Sequence, residues 1–511
     1  MNQAKETQSG QPQPRHVKMP IDTSRLLSAL ALWLGLLLPQ SAGAEDVPSS
    51  GGDVIDMIKT LIRFDTTNAP GDTRPVAAYL KSVFDAADIP NETILAPNGQ
   101  AAHFIARLKG NGHERPVLLA AHTDVVPVQR ERWSVEPFAA VEKDGFIYGR
   151  GALDNKGSVA VYAQAILKLA RDPSPRSRDV IFLAEADEEQ GQYNTNWLAD
   201  HYWDKIDAEF SLNEGGRTVL GSDGKVHELH VTYADKLTLN LKLRAHGPSG
   251  HSSRPIPITN SANGQLISAL VKLQSYETAI QLSPEIRSYL DKTAALSSEP
   301  LASTIRRLLA ANDEAAQLAA ARDLIAKDPG GWGVEGLLRN TLVVTMLNAG
   351  QKPNVIPGDA EAVLNARLLP GVTVDNFIAE VRKVIGNPGI EIEIVSARPK
   401  SEIAGFYAMY SQMAPSNLHT ALFSALQDSA GKTWPGVTVL PTLLVASTDA
   451  TPWRRRGVPV YGIGAVPSDP VSASRIHGDD ERVGIDALRQ GETFFYGVLK
   501  TVTAPSPAKT P

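Results

Sequence analysis

The 511-residue sequence contains no cysteine. Disulfides, thiolate nucleophiles and cysteine-held zinc are therefore excluded, and any metal must be held by histidine and carboxylate. An excess of basic residues is lacking too: the net charge is -6 and the pI about 6.0, so nothing in the bulk composition calls for nucleic acid or an anionic membrane. Internal repeats are not found. The stretch Tyr461-Gly-Ile-Gly-Ala-Val466 begins like a nucleotide-binding loop but lacks the full G-x-G-x-x-G opening a helix.

Long apolar runs are also scarce. The run from Leu26 to Leu38 is short for a membrane span. Arg15, Lys18 and Arg25 precede it, and the small-residue site Ser41-Ala-Gly-Ala44 follows. This is the pattern of a secretory signal. Residues 1–44 are expected to be a signal peptide cleaved after Ala44, which sends the mature chain to the periplasm or the exterior with no stable membrane span; an uncleaved anchor is the alternative. The first eighteen residues form a long polar leader, and Met19 is a second candidate start.

What is present is enough apolar residue, 42%, to build cores, and more length than one ordinary core takes, so two domains are expected. Helical periodicity runs from Asp53 to Phe64 and from Arg74 to Ala87. Apolar strand-like runs then alternate with helical ones, among them His103 to Gly110, Pro116 to Val126 and Asp179 to Ala186. Such alternation, with strands buried on both faces, indicates an α/β fold around a mixed, largely parallel sheet. Sites on these sheets gather at the carboxyl ends of strands. Period-two alternation begins at Tyr233 and returns at Thr341 to Gly350 and Ala360 to Gly371, which marks an inserted α+β module at residues 237–369. The expected organisation is a catalytic domain in two parts, 45–236 and 370–503, split by that insertion, and a disordered tail at 504–511. Ser275 to Lys327, helical, Ala-rich and polar, reads as a surface elaboration.

One stretch raises a question of charge. The apolar run Val180 to Ala184 leads directly into Glu185, Asp187, Glu188 and Glu189. Like charges this close raise each other's pKa and destabilise the fold unless something positive sits among them, so a cation is expected. His122 ends another apolar run, with Asp124 two residues on. Residues two apart in an extended segment point the same way, so Asp124 can reach the imidazole and fix its tautomer. Asp154 lies in the turn Tyr148 to Gly157 before a helical stretch, where it either caps the helix or carries chemistry. Glu214 follows a further short apolar piece, and His477 precedes the last helix. Two histidines and several carboxylates, nearly all at strand ends, suit two divalent ions, zinc first and cobalt or manganese as substitutes.

The motifs HTDVVP, YGRGALDNKG, DEEQG, NEGG, GPSGHSSRP, KPNVIPGDAEAVLNARLLPG, STDATPWRRRGVPVYGIG and RIHGDDERV occur in this order within residues 53–503. Through them the chain resembles the co-catalytic di-zinc peptidases and amidohydrolases that include aminoacylase, carboxypeptidase S, glutamate carboxypeptidase, acetylornithine deacetylase and succinyl-diaminopimelate desuccinylase, and most of all the carboxypeptidase S-like members. The resemblance implies a zinc-exopeptidase-like catalytic domain with an inserted lid and dimerisation domain. It implies two Zn2+ per subunit, one on His122 and Glu214, the other on Glu189 and His477, with Asp154 bridging. Glu188 is then the general base, and Asp124 orients His122. His251 matches a histidine that reaches into the partner's site to stabilise the oxyanion, against the plain reading of a histidine in a solvated turn. Asn354 and Arg367 match positions that hold the substrate carboxylate or its oxyanion, for which an arginine offers a bidentate fork; a structural salt bridge is the alternative for Arg367. Thr448 and Asp449 match a loop lining the substrate pocket. The run Trp453 to Gly457 reads as solvated charge.

The expected activity is hydrolysis of the amide bonds of short peptides or N-acyl amino acids, of the carboxypeptidase or aminoacylase type, by an exported homodimer. A deacylase of the acetylornithine or succinyl-diaminopimelate kind fits the export signal less well, because those reactions are cytosolic. An inactive binding scaffold fits poorly with a full ligand set and Glu188.

Overall fold

The computed structural model describes residues 52–328, 333–396, 398–446 and 448–505; the expected signal segment, its cleavage site and most of the expected tail lie outside them. The first helix, Val54–Arg63, starts where the Asp53 carboxylate accepts the backbone N–H groups of Ile55 and Asp56. Its buried residues, from Val54 to Ile62, follow the helical repeat.

The main sheet has nine strands. Eight lie in the spatial order Asn91–Leu95, Ala102–Leu108, Val180–Glu185, Val117–His122, Phe210–Asn213, Val460–Gly462, Val226–Asp235 and Thr438–Leu444, and Arg217–Leu220 pairs beside Val226–Asp235. The four central strands, from Val180–Glu185 to Val460–Gly462, run parallel, and antiparallel pairs flank them. Val117–His122 and Val180–Glu185 are buried along their whole length, which is why they read as unbroken apolar runs. Alternate residues divide between two cores. Leu119, Ala121 and Phe182 face helices Lys156–Arg171 and Ile485–Thr503, whereas Leu118, Ala120 and Ile181 face Leu198 and Trp453.

A second, antiparallel sheet has the order Thr341–Asn348, Asp359–Leu368, Leu237–His246, Glu391–Val395. From Leu237 to Ala245 odd-numbered residues are buried and even-numbered ones less so, as the period-two pattern requires. Helices Ala262–Gln274 and Val374–Ile385 share the buried core on that face. The boundary expected at Leu369 is therefore misplaced: Val374–Ile385 and Glu391–Val395 belong to the second layer. The chain rejoins the first core with helix Ala421–Thr433, packed on Ile485–Thr503. A helix followed by a strand carries no mark of which sheet it joins until the strands pair.

Ser275 to Lys327 forms three helices, Pro284–Leu296, Leu301–Ala310 and Glu314–Ala326. Their apolar sides pack on one another and on Tyr233 and Leu443 of the main sheet, so the segment shields the outer strand Thr438–Leu444. Among the described residues no helix is long and apolar enough to cross a membrane.

Candidate active site

Three neighbouring strands of the parallel centre end on the same side, and the expected residues follow from those ends. His122 closes one strand opposite Glu185 of the next, Glu188 and Glu189 lie in the turn beyond Glu185, and Glu214 follows Phe210–Asn213. Two turns complete the cluster, one before helix Lys156–Arg171 with Asp154 and one before strand Arg482–Gly484 with His477.

Asp154 stands between the two histidines. Its Oδ1 is 2.9 Å from His122 Nε2 and its Oδ2 is 3.1 Å from His477 Nε2. Behind each histidine is a glutamate: Glu214 Oε2 lies 3.2 Å from His122 Nε2, and Glu189 Oε1 lies 3.0 Å from His477 Nε2. The capping alternative for Asp154 does not hold, since Asn155 occupies the cap position and its amide donates to Glu214 Oε2 at 2.9 Å. Donor atoms of His122, Asp154 and Glu214 converge within 4.8 Å of one another, as do those of Asp154, Glu189 and His477.

Asp124 works differently from the expectation. His122 Nδ1 donates to the Asp124 backbone carbonyl at 3.0 Å, while the Asp124 carboxylate is 3.6 Å away. The carbonyl thus sets the tautomer and leaves Nε2 facing the carboxylates. The Asp124 carboxylate accepts the backbone N–H groups of Glu188 and Glu189, each at 3.1 Å, and the side-chain amide of Asn68. Asn68 has no sequence signal beyond its place in a turn-rich stretch between two helices.

Three more supporting residues emerge only from the fold. Glu481 is buried; its Oε1 accepts the N–H groups of Leu153 and Asp154, and its Oε2 accepts Gly151 N–H and Arg150 Nη1 at 2.7 Å. Arg150 Nη2 in turn donates to the carbonyls of His477 and Gly478, which ties the Asp154 turn to the His477 turn. His103 spans the loop that carries the two glutamates, accepting Ala186 N–H at Nδ1 and donating from Nε2 to the Tyr193 carbonyl. Asp187 and His477 sit in the left-handed region, at φ +66° and +60°, a conformation that concentrates at functional sites.

The electrostatics call for positive charge. Burial alone would lower the pKa of His122, but the nearby carboxylates of Asp124, Asp154 and Glu214 outweigh it and hold the pKa well above its usual value. Hydrogen bonds to Asp154 and Glu189 push His477 up to about 10. Burial, then the nearby Glu214 charge, push Glu188 up to about 8. Four carboxylates around two imidazoles, with Asp154 offering one oxygen to each side, fit a pair of divalent ions.

The remaining expected residues lie elsewhere. His251 pairs with Val355 in a short two-stranded ribbon on the second layer, beside Asn354. Its Nδ1 accepts the N–H and hydroxyl of Ser253, so the ring proton is on the exposed Nε2. Arg367 donates to Thr238 Oγ1 and Asn365 Oδ1, and no carboxylate pairs with it among the described residues, so the salt-bridge alternative does not hold. No hydrogen bond or ion pair joins His251, Asn354 or Arg367 to the histidine and carboxylate cluster among the described residues. Thr448 shares a cavity wall with Glu214. Asp449, expected beside it, is instead buried, with its Oδ1 accepting the Asn213 amide at 2.7 Å; it braces the residue before Glu214 rather than facing the cavity. Arg454 is likewise not solvated, being buried and ion-paired with Asp235.

Known proteins are similar to this chain in sequence and fold. The chain is 29% identical to the "Probable carboxypeptidase S-like 2" of Dictyostelium discoideum, over 76% of this chain and 71% of that protein. It is 24% identical to the mouse (Mus musculus) "N-fatty-acyl-amino acid synthase/hydrolase PM20D1", over 93% and 97%. Among solved structures, the M20 family metallo-carboxypeptidase Sso-CP2 from Sulfolobus solfataricus superposes with a TM-score of 0.63 at 19% identity, over 88% of this chain and 99% of that one, which speaks for the fold. The pattern of the family described as "Peptidase family M20/M25/M40" matches residues 118–501, most of the chain and every residue of the histidine and carboxylate cluster, so the chain belongs to peptidase family M20/M25/M40.

Proposed function

We propose that this chain is a di-zinc hydrolase of the amide bond in N-acyl amino acids or short peptides, releasing an amino acid with a free carboxylate. The observation that carries this reading is Asp154, which offers one carboxylate oxygen to each histidine while Glu214 and Glu189 stand behind them. One ion is assigned to His122 and Glu214, the other to Glu189 and His477, with Asp154 shared. Two such ions, when bound, polarise the scissile carbonyl and acidify the attacking water. The similarity to a carboxypeptidase S-like protein and to an N-fatty-acyl-amino acid synthase/hydrolase supports this substrate range.

The work of the chain's own residues follows. Glu188, for which no hydrogen bond to either histidine is found among the described residues, takes a proton from the attacking water and passes it to the leaving nitrogen. The water oxygen joins the acyl carbon, the C–N bond breaks, and the products are a carboxylate and an amine. Asp124 holds Glu188 and Glu189 by their backbone N–H groups. His251, whose Nδ1 is engaged by Ser253 and whose Nε2 therefore carries a proton, donates to the developing oxyanion once the second layer approaches. Arg367 and Asn354 take the free carboxylate.

A homodimer through the second layer is supported by exposed apolar side chains there: Ile267 and Val271 on helix Ala262–Gln274, and Val343, Met346 and Leu347 on the outer strand Thr341–Asn348. Export rests on the N-terminal charge, apolar run and small-residue site. A panel of dipeptides and N-acyl amino acids, assayed before and after chelation, tests the reading. Hydrolysis is expected to vanish on metal removal and to return with zinc or cobalt; full turnover by verified metal-free protein overturns it.

A further inference from the structure

Lys236 takes no part in the proposed chemistry, yet it occupies a singular position. It is fully buried and stands alone between strand Val226–Asp235 of the main sheet and strand Leu237–His246 of the second layer. Its ammonium pairs with no carboxylate among the described residues; it donates instead to two backbone carbonyls, Gly336 O at 2.9 Å and Arg339 O at 2.7 Å. Burial lowers its pKa to about 7, a fall that the Glu335 charge opposes and the Arg367 charge deepens. An apolar side chain of similar size would fill this space without that desolvation penalty. What it could not supply is the tie to the two carbonyls.

Those carbonyls lie at a joint. Among the described residues the chain passes between the two layers four times. The first passage is Lys236 itself, the second joins helix Ala262–Gln274 to helix Pro284–Leu296, the third joins helix Val334–Leu338 to strand Thr341–Asn348, and the fourth joins helix Lys400–Ser411 to helix Ala421–Thr433. Three of the four meet at Lys236. Its amine holds the third directly, through Gly336 and Arg339. The second is bound to the third by the Arg339 guanidinium, 3.0 Å from Glu277 Oε1, and by the Thr278 hydroxyl, which donates to Asn340 O at 2.7 Å. Lys236 N–H donates to Leu444 O at 3.0 Å, which fixes the joint to the outer strand of the main sheet. On the other side Thr238, two residues on, pairs with Arg367 in register and accepts its guanidinium. The packing there has no slack, since a Cβ on Gly336 would come within 2.8 Å of Val445 Cγ1.

We infer that Lys236 is a positioning residue: by pinning three of the four passages to one point, it sets the angle at which the second layer presents His251, Asn354 and Arg367 to the histidine and carboxylate cluster. The inference rests on the roles proposed above for those three residues.

Because the chain has no cysteine, two introduced ones can report that angle alone. Ser82→Cys on helix Arg74–Ala86 and Asn376→Cys on helix Val374–Ile385, both exposed, carry spin labels whose separation is read by double electron–electron resonance in protein diluted with unlabelled chains. One narrow distance distribution is expected in the otherwise wild-type protein, and Lys236→Met should broaden or shift it. Without labels, Lys236→Met should keep its metal while kcat/KM for N-acetylphenylalanine and Leu-Phe falls by about tenfold to 100-fold, the scale of a misplacement of about 1 Å. KM should rise as Arg367 and Asn354 shift, and kcat should fall as His251 does. Arg178→Met removes another buried cation, paired with Glu114 and Glu209 at the far end of strand Val180–Glu185 from the cluster, and should lower stability without moving either readout. A wild-type distance distribution in folded Lys236→Met protein overturns the inference, as does wild-type kcat/KM or an equal loss in Arg178→Met protein. If Lys236→Met does not fold, the pair Glu277→Gln and Thr278→Val, which frees the second passage, is judged by the same two readouts. Wild-type protein that cleaves neither substrate defeats the hydrolase reading, and the distance distribution then decides alone whether Lys236 holds the joint.

Discussion

Glu188 and Glu189 are neighbours in the chain but not in circumstance. Glu189 lies 3.0 Å from His477 Nε2, whereas Glu188 makes no hydrogen bond or ion pair with either histidine among the described residues, its carboxylate coming within 4.8 Å of a His122 nitrogen, and is held by its backbone to Asp124. Glu188→Gln is therefore expected to retain both metals while kcat falls by about 100-fold or more, the usual loss on removing a general base. Glu189→Gln should lower metal content, and elemental analysis beside the kinetics separates the two; the opposite pattern exchanges their roles. His103 gives a second prediction at this scale. It is fully buried, and burial, opposed by its bond to the Tyr193 carbonyl, lowers its pKa to about 4. The folded pKa lies below the unfolded value of about 6.5, so the unfolded chain binds the extra proton and stability falls as pH drops through 6.5 toward 4. Between pH 8 and pH 5 the loss from this residue should be about 2 kcal/mol in urea unfolding. His103→Gln protein should lack that increment of pH dependence, and an identical pH slope in the two proteins counts against it.

Among elements, the turn before helix Lys156–Arg171 and the turn before strand Arg482–Gly484 are more than 300 residues apart in the chain yet share the Asp154 site. The Arg150–Glu481 pair joins them at 2.7 Å with both side chains buried. Burial holds the pKa of the Glu481 carboxyl above its usual value, although the Arg150 charge opposes that rise. Replacing one member of a buried pair strands the other charge, at about 3–5 kcal/mol. Glu481→Gln should therefore lose stability of that order in urea unfolding and, because its single amide oxygen cannot serve both the Leu153 and Asp154 N–H groups and the Gly151 N–H and Arg150, should also bind metal more weakly. Wild-type metal affinity in the folded variant would show that the pair stabilises the fold without positioning the site.

At the scale of the whole molecule, the residues proposed to act in this metal-dependent hydrolase of the M20 family lie on two layers. The proposed ligands and base lie on the main sheet, and His251 lies on the ribbon of the second layer. Delivery of His251 by a partner subunit has a direct test. A heterodimer of His251→Ala and Glu188→Gln subunits contains one site with both residues intact, so mixing two inactive proteins should recover activity after subunit exchange. No recovery in demonstrated heterodimers rules out delivery by the partner. Met346→Asp on the exposed outer strand should shift the protein toward monomer in sedimentation and reduce activity in parallel.

The sequence alone pointed to His122, Glu188, Glu189 and Glu214, because strands buried on both faces must be unbroken apolar runs, and a histidine or carboxylate at or just past the end of one stands out against them, whereas the proposed division into ligands and base came from the resemblance of the motifs to a known family. It also determined the period-two strands of the second layer and the absence of any thiol ligand. Only the tertiary structure decided where the second layer ends, since helix Val374–Ile385 and strand Glu391–Val395 look the same in sequence whichever sheet they join. It alone exposed the supporting residues, Asn68, His103, Arg150 and Glu481, whose partners lie dozens to hundreds of positions away. It also turned Asp449 from a wall residue into a brace for Asn213. The reason is physical: the local apolar pattern fixes which residues reach a strand end, whereas hydrogen bonds between turns exist only after the strands have paired and brought those turns together.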